Sequence, residues 1–124
     1  MLKEVSYKDL KFNPFRLIGD EWMLVTAGNE KDGCNTMTAS WGGLGYLWNK
    51  PVAFLFVRPE RFTYPFIEEN DHLTLTFFGH SPEMRRVVNL CGTVSGRTPD
   101  QLKETGLTPV ATATGAVRLA EARL

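Results

Sequence analysis

The sequence predicts a single, mainly β domain over residues 1–124, with short helices between its strands. Three observations support this fold class. The chain of 124 residues has the length of one ordinary domain. Strand-forming segments dominate its first two-thirds, and the helical segments between them are too short for a doubly wound parallel sheet. An α+β domain or a β-barrel with helical insertions therefore fits the pattern best.

Five segments have the composition of strands, and a turn is predicted at residues 28–33. The strands are predicted, in chain order, at residues 22–27, 34–41, 52–58, 72–78 and 115–124. Alternation along the second segment places Thr36, Thr38 and Ser40 on one face, as a row of hydroxyls that faces either a ligand or solvent. The third segment is continuously apolar, so we expect it to be buried on both faces.

Three short helices have recognisable ends. Ser81, followed by a proline and an acidic residue, begins one of them, and Gly92 ends it. A capping box at Thr98 begins another helix, which ends at Gly106. The third is predicted over residues 64–69, between a proline near its start and an asparagine at its end. Helices this short are connections between strands.

The charge balance argues against several classes of protein. Fourteen basic and fourteen acidic residues give no net charge, which disfavours a protein that binds mainly nucleic-acid phosphates or anionic membranes. The longest apolar run, residues 52–57, is far too short to cross a bilayer, and the charged N-terminus does not resemble a secretory signal. We therefore expect a cytoplasmic protein with no membrane or nucleic-acid partner.

Neither a metal site nor a catalytic triad is indicated. Cys34 and Cys91 stand alone, with no histidine at ligand spacing, and are expected to be reduced thiols. His72 and His80 flank a predicted strand without a paired nucleophile or carboxylate. The sequence also lacks a GxGxxG motif and a Walker loop, so Rossmann and P-loop modes of nucleotide binding are not supported.

Three polar clusters are candidate ligand sites, and each has a purely structural alternative. In residues 35–43, a strand of hydroxyls runs into paired glycines, which allow close approach of a ligand but also occur in ordinary turns. Arg58 and Arg61 lie between an apolar strand and a helix start, where they would bind phosphate or pair with nearby glutamates. In residues 92–98, a Gly/Ser loop brings Arg97 to a helix start, as an anion site or a plain connection.

Taken together, the clusters provide hydroxyls, arginines and aromatic residues with almost no acid–base machinery. This combination indicates binding of a phosphorylated aromatic ligand. Any catalysis would then depend on a cofactor.

Four motifs occur in a specific order along the chain. They are NTMTASWGG at residues 35–43, KPV at 50–52, VRPERFT at 57–63, and CG with SGR within residues 91–97. In this order they resemble the flavin-reductase-like family of FMN-binding split β-barrels, which includes flavoredoxin-type proteins. The resemblance runs from about residue 12 to the C-terminus. It implies a split barrel, usually dimeric, with FMN bound near the subunit interface.

The resemblance also implies which residues bind FMN. On the flavin and its ribityl-phosphate chain it places Thr38, Ser40 and Trp41, with backbone contacts from Met37 and Ala39. On the phosphate it places Arg58 and Thr63, with Arg61 as a second candidate, and over the cofactor Ser95, Gly96 and Arg97. No catalytic side chain and no metal ion is implied. Aromatic residues that could supply the dimer interface are Trp41, Tyr46, Trp48 and Phe62.

The implied function is that of a homodimeric FMN-binding oxidoreductase. It would accept a hydride from NAD(P)H onto the flavin and pass electrons to free flavin, a metal complex or a partner protein. Two alternatives stay open: a flavoredoxin-type electron carrier without direct NAD(P)H reactivity, and an FMN-binding module without turnover. Members of the family usually continue beyond the segment that matches residues 115–124, so we expect either a compact member or a C-terminally shortened one.

Overall fold

The computed structural model describes residues 2–29, 31–93 and 105–124. Within them the strands are β1 Met23–Asn29, β2 Gly33–Ala39, β3 Gly42–Leu47, β4 Lys50–Leu55, β5 Leu73–Thr76, β6 Pro109–Ala111 and β7 Val117–Leu119. The helices are a 3-10 turn at Tyr7–Asp9, α1 at Pro14–Arg16, which continues as a π-helix at Leu17–Glu21, α2 at Tyr64–Glu69 and α3 at Pro82–Thr93. None of the described helices is long and apolar enough to span a membrane.

An antiparallel sheet with the strand order β2-β1-β5 forms the centre of the fold. Its middle strand is buried on both faces, because the neighbouring residues Leu24 and Val25 point in opposite directions and neither is accessible to solvent. On the face of Leu24, the core continues through Val88 of α3 and Leu119 of β7. On the face of Val25, it continues through Leu17 of the π-helix. The sheet is therefore a layer between two apolar clusters.

Two further antiparallel pairs, β3–β4 and β6–β7, are separate from this sheet, so the described strands do not close into a barrel. The β3–β4 ribbon turns at Trp48 and Asn49, which have φ angles of 53° and 60°. Positive φ at both central residues is the geometry of a type I′ turn, whose twist suits a two-residue hairpin loop. The Tyr46 hydroxyl donates to the Asn49 carbonyl at 3.1 Å and stabilises this turn.

The buried side chain of Glu21 connects segments that are distant in sequence. Its carboxylate accepts a hydrogen bond from the Gly79 N–H at 2.9 Å and two from the Arg123 guanidinium, of which the Nε bond is 3.0 Å long. Burial raises the pKa of this carboxyl, but the bonds from Arg123 and Gly79 outweigh burial and hold the pKa below its ordinary value. Phe77 exchanges backbone hydrogen bonds with Arg123 and Leu124 beside this group.

Most predicted elements are present, with somewhat different limits. The predicted strands 22–27, 34–41 and 72–78 correspond to β1, β2 and β5, and the predicted helices to α2 and α3. β1 begins one residue late, because Trp22 has a left-handed backbone with φ of 68°. Most of the helix predicted from Thr98 to Gly106 falls on residues 98–104, outside the described residues.

The burial predicted for residues 52–58 is wrong. β4 pairs only with β3, and Phe54 and Phe56 are 44% and 66% exposed. One face of this segment packs on the core through Leu55 and Val57, but no layer covers the other face in the described part of this chain. The apolar run is therefore buried on one face and exposed on the other.

The structure also departs from the expectations for the last strand, the paired glycines and the row of hydroxyls. The strand predicted over residues 115–124 is only three residues long, because Gly115 turns with φ of 89° and the chain leaves β6 after Leu119. Gly42 and Gly43, for which the pattern allows either close approach of a ligand or an ordinary turn, begin β3. Of the two surroundings predicted for the hydroxyl row, the first part meets neither: the Thr36 hydroxyl is buried and accepts a bond from the Thr26 hydroxyl at 3.1 Å.

Candidate functional site

A cavity of about 600 Å³ opens between the end of β2 and the segment that follows β4. Residues 37–41 form its first wall, and residues 55–61 contribute the second. The volume is within the range of roughly 300–1,000 Å³ that is typical of small-molecule and cofactor sites. The lining residues are Met37, Thr38, Ala39, Ser40, Trp41, Leu55, Phe56, Val57, Arg58, Pro59 and Arg61.

The cavity brings together most of the residues that the sequence predicts to bind FMN. Those that line it are Met37, Thr38, Ala39, Ser40, Trp41, Arg58 and Arg61. Thr63 does not line it, and Ser95, Gly96 and Arg97 lie outside the described residues. Two motifs that are separate in the sequence thus face each other across one space.

The first wall presents chiefly backbone groups. The side chains of Met37 and Ala39 are buried in the core on one face of β2. The Thr38 hydroxyl, on the other face, donates to the Val88 carbonyl of α3. β2 is an edge strand that pairs only with β1 among the described strands. N–H and C=O groups along its free edge are therefore available to hydrogen-bond a ligand.

The second wall carries the positive charge of the cavity. The Arg58 side chain is 69% exposed, and its Nε lies 3.6 Å from the Glu60 carboxylate. An exposed ion pair of this kind contributes at most about 1 kcal/mol, so the guanidinium is free to turn to a stronger anion. Arg61 is half-buried and forms no ion pair within the described residues. No Asp, Glu or His is among the described residues that line the cavity.

Aromatic and aliphatic side chains complete the lining. Trp41 and Phe56 stand on opposite walls, 74% and 66% exposed, and Leu55 and Val57 are partly buried beside Phe56. The cavity thus combines apolar surface, a backbone edge and two guanidinium groups. A planar ring with a polar edge and an attached phosphate needs this combination of groups.

Thr63 has surroundings that the sequence does not indicate. It is 1% exposed, and its Oγ1 accepts a hydrogen bond from Asn35 Nδ2 at 2.7 Å. Asn35 lies in β2 and Thr63 directly precedes α2, so the bond joins the two segments that carry the walls of the cavity.

Sequence reasoning did not identify Leu55, Phe56, Val57 and Pro59 as lining residues. A signal was present, because these residues lead directly from the apolar run into Arg58. The pattern of the run predicts a strand buried in the core of the same chain, which is why the sequence does not indicate these residues as part of the cavity.

Neither cysteine is among the described residues that line the cavity. Burial raises the pKa of Cys91 to about 11 and also raises that of Cys34, so both thiols are protonated at neutral pH. In the described part of the chain, no group of three or more His, Cys, Asp or Glu residues could hold a metal ion.

The fold and the cavity together are those of a small β domain whose site suits a phosphorylated planar ligand. The flavin reductase like domain family matches residues 15–124, and the chain belongs to this family. The family predicted from the sequence motifs is thereby confirmed, and it supports a flavin-related redox role. Comparison with curated protein sequences gives no match.

Two solved structures have a similar fold. Flavoredoxin of Desulfovibrio vulgaris (Miyazaki F) has a TM-score of 0.67 at 24% identity, over 98% of this chain and 62% of that one. An FMN-binding domain of a flavin reductases-like enzyme from Shewanella baltica OS155 also has a TM-score of 0.67, at 15% identity over 88% of this chain and 56% of that one. The chain thus spans about three-fifths of the length of these proteins. At these identities, the likeness shows the fold.

Proposed function

We propose that this chain binds FMN in the cavity between β2 and the segment after β4, and that it acts as a homodimeric flavin-dependent oxidoreductase. The observation that supports this most directly is the pairing of Arg58 and Arg61 with the free edge of β2 across one space. FMN, when bound, would supply the ring that accepts a hydride from NAD(P)H and delivers electrons to free flavin, a metal complex or a partner protein.

The chemistry of the lining residues fits FMN. The phosphate dianion requires charged donors, and guanidinium groups bind phosphate through charge-assisted, often bidentate, hydrogen bonds. The polar edge of the ring requires N–H and C=O partners, which the β2 edge provides. Its apolar faces require a flat hydrophobic surface, which Trp41 and Phe56 offer. Within this proposal, the protein binds and orients the cofactor and excludes water, and no side chain acts as a general base.

A second copy of the chain would complete the site. The β3–β4 ribbon and its flanks carry large exposed apolar side chains, namely Trp41, Leu44, Tyr46, Leu47, Trp48, Phe54 and Phe56. So many large apolar side chains exposed on one ribbon are unusual on a monomer and are typical of an interface. Since Trp41 and Phe56 also line the cavity, a partner that covers the ribbon would cover the mouth of the cavity. We expect the split barrel to be complete only in such a dimer.

Binding of FMN can be tested on the phosphate contact. Replacement of Arg58 by Ala should weaken FMN binding by about tenfold or more, because a charge-assisted hydrogen bond contributes about 1.5–3 kcal/mol. Riboflavin lacks the phosphate, so the Arg58→Ala variant should bind it almost as tightly as the wild type does. Arg86→Ala, on the exposed face of α3, is a matched control that should bind FMN as the wild type does. An unchanged FMN affinity in Arg58→Ala would refute the assignment of this residue.

The electron donor needs a separate experiment. The absorption of the FMN-loaded protein is followed anaerobically while NADH, and then NADPH, is added. Bleaching of the bound-flavin band would support a reductase. A band that persists with both nucleotides, but bleaches with dithionite, would favour the electron carrier or the binding module instead. Absence of any bound flavin would refute the proposed function.

A further inference from the structure

One partly buried hydrogen bond joins the segments that carry the two walls of the cavity. Asn35 Nδ2 donates to Thr63 Oγ1 at 2.7 Å, across 28 residues of sequence. Asn35 lies two positions before Met37 of the first wall, and Thr63 two positions after Arg61 of the second. Neither Asn35 nor Thr63 lines the cavity. The bond is therefore placed to set the position of one wall relative to the other.

Thr63 directly precedes α2, and this helix is also hydrogen-bonded to the sheet at its other end. Asn29 Nδ2, at the end of β1, donates to Asn70 Oδ1 at 3.0 Å, and Asn70 Nδ2 donates to the Phe66 carbonyl at 2.8 Å. Asn29 and Asn35 lie on the two strands of one hairpin. α2 is thus held to the β1–β2 hairpin by an asparagine side chain at each end, and the bond from Asn35 is the one next to the arginines.

The burial of Thr63 makes the Asn35–Thr63 bond sensitive to substitution. Its side chain is 1% exposed, so removal of Asn35 leaves a buried hydroxyl without its hydrogen bond, and removal of the Thr63 hydroxyl leaves the half-buried Asn35 amide without its acceptor. Serine preserves the hydroxyl at this position, whereas valine preserves the shape and removes the hydroxyl. Comparison of these two substitutions therefore separates the effect of the hydroxyl from the effect of the side-chain shape.

We propose that Asn35 and Thr63 are positioning residues, which hold Arg58 and Arg61 at the correct distance from the β2 edge. Thr63 acts through Asn35 and not as a ligand of the phosphate. This inference rests on the proposed function, since FMN must contact both walls at once. A ligand that spans two walls gains affinity only if both are held in register before it binds.

The experiment compares FMN affinity in Asn35→Ala, Thr63→Val, the double variant and Thr63→Ser. Each of the first two should weaken FMN binding by about tenfold, the effect of losing one buried polar partner. The double variant should bind no more weakly than the weaker single variant, because both substitutions remove the same bond. Thr63→Ser should restore affinity to within about twofold of the wild type.

A matched control separates positioning from general stability. Thr36→Val also removes a buried side-chain hydrogen bond in β2, the one to Thr26, but that bond lies within the sheet. Thr36→Val should lower the melting temperature of the cofactor-free protein about as much as Thr63→Val does, and should leave FMN affinity unchanged. Equal loss of FMN affinity in Thr36→Val would overturn the proposal. A large loss in Thr63→Val with none in Asn35→Ala would overturn it too, because the hydroxyl would then bind the phosphate directly.

A measurement without cofactor keeps this inference separate from the proposed function. Hydrogen–deuterium exchange of the cofactor-free protein should speed up at residues 55–63 in Asn35→Ala and not in Thr36→Val. If the wild type binds no FMN, the proposed function fails, and the exchange data still decide whether the bond orders the second wall. Unchanged exchange in Asn35→Ala would refute the positioning role.

Discussion

Replacement of Glu21 by Gln should destabilise the protein strongly at neutral pH. The Glu21 side chain is 3% exposed and accepts bonds from the Gly79 N–H and from two nitrogens of Arg123, so glutamine loses the charge and turns an N–H₂ group toward donors. Hydrogen bonds to a charged group contribute about 1.5–3 kcal/mol each. Because the Arg123 side chain is 50% exposed, solvent screens part of its contribution. We therefore expect a total loss of about 2–3 kcal/mol.

Thermal unfolding measured by circular dichroism at pH 7 tests this expectation. For a domain of this size, 1 kcal/mol shifts the melting temperature by roughly 3–5 °C, so Glu21→Gln should melt about 10 °C below the wild type. Glu121→Gln is the matched control. That carboxylate is exposed and accepts bonds from the Thr108 N–H and hydroxyl, at 2.8 Å each, without an arginine partner among the described residues, so its loss should cost less than about 1 kcal/mol. Equal melting temperatures for wild type and Glu21→Gln would refute the reasoning.

The same variant should reveal a pH dependence of known sign. The folded-state pKa of Glu21 lies below its ordinary value of 4.5, so the unfolded chain binds the proton more tightly. The stabilisation by the carboxylate is therefore complete above pH 4.5 and disappears as the pH falls through the folded-state pKa. The difference in melting temperature between wild type and Glu21→Gln should shrink over that acidic interval. A difference that grows there would contradict the sign.

Three further predictions test other parts of the molecule. Gly28→Ala should lower the free energy of unfolding by about 2 kcal/mol or more, because φ is +115° and an added Cβ would lie 2.3 Å from the Gly33 carbonyl oxygen; chemical denaturation measures this. Cys91 should not react with a thiol reagent at pH 8 until the protein unfolds, because it is 1% exposed and its pKa is raised to about 11. Trp48→Asn removes an 87% exposed side chain from a positive-φ position that suits asparagine, so dimer affinity should fall about tenfold by sedimentation while the monomer stays as stable.

Elements with local signals could be predicted from the sequence. The start of α3 is an example, since the Met84 N–H donates to the Ser81 hydroxyl at 3.3 Å and the proline follows at the first helical position. Such a signal depends on a few neighbouring residues and is independent of the rest of the fold. The sequence motifs likewise predicted most of the cavity lining, because each wall is one continuous segment.

Features that depend on distant partners could not be predicted. The apolar run at residues 52–58 is typical of a core strand, but its second face has no partner in the described chain. The local sequence does not indicate whether that face is covered. The hydroxyl of the buried Thr63 has its hydrogen-bond partner in Asn35, which is 28 residues away. The turn at Trp48 and Asn49 lacks the glycine that usually identifies a type I′ hairpin. In each case tertiary contacts decide the outcome.

The bond between Glu21 and Arg123 has a consequence for the folding kinetics. It joins residues that are 102 positions apart, and closing so long a loop has a high entropic cost before any contact compensates for it. The β1–β2 hairpin, by contrast, can form within microseconds from neighbouring residues. The π-helix before β1 should therefore reach its final place only in the late steps of folding, after the segment around Arg123 has docked on β5.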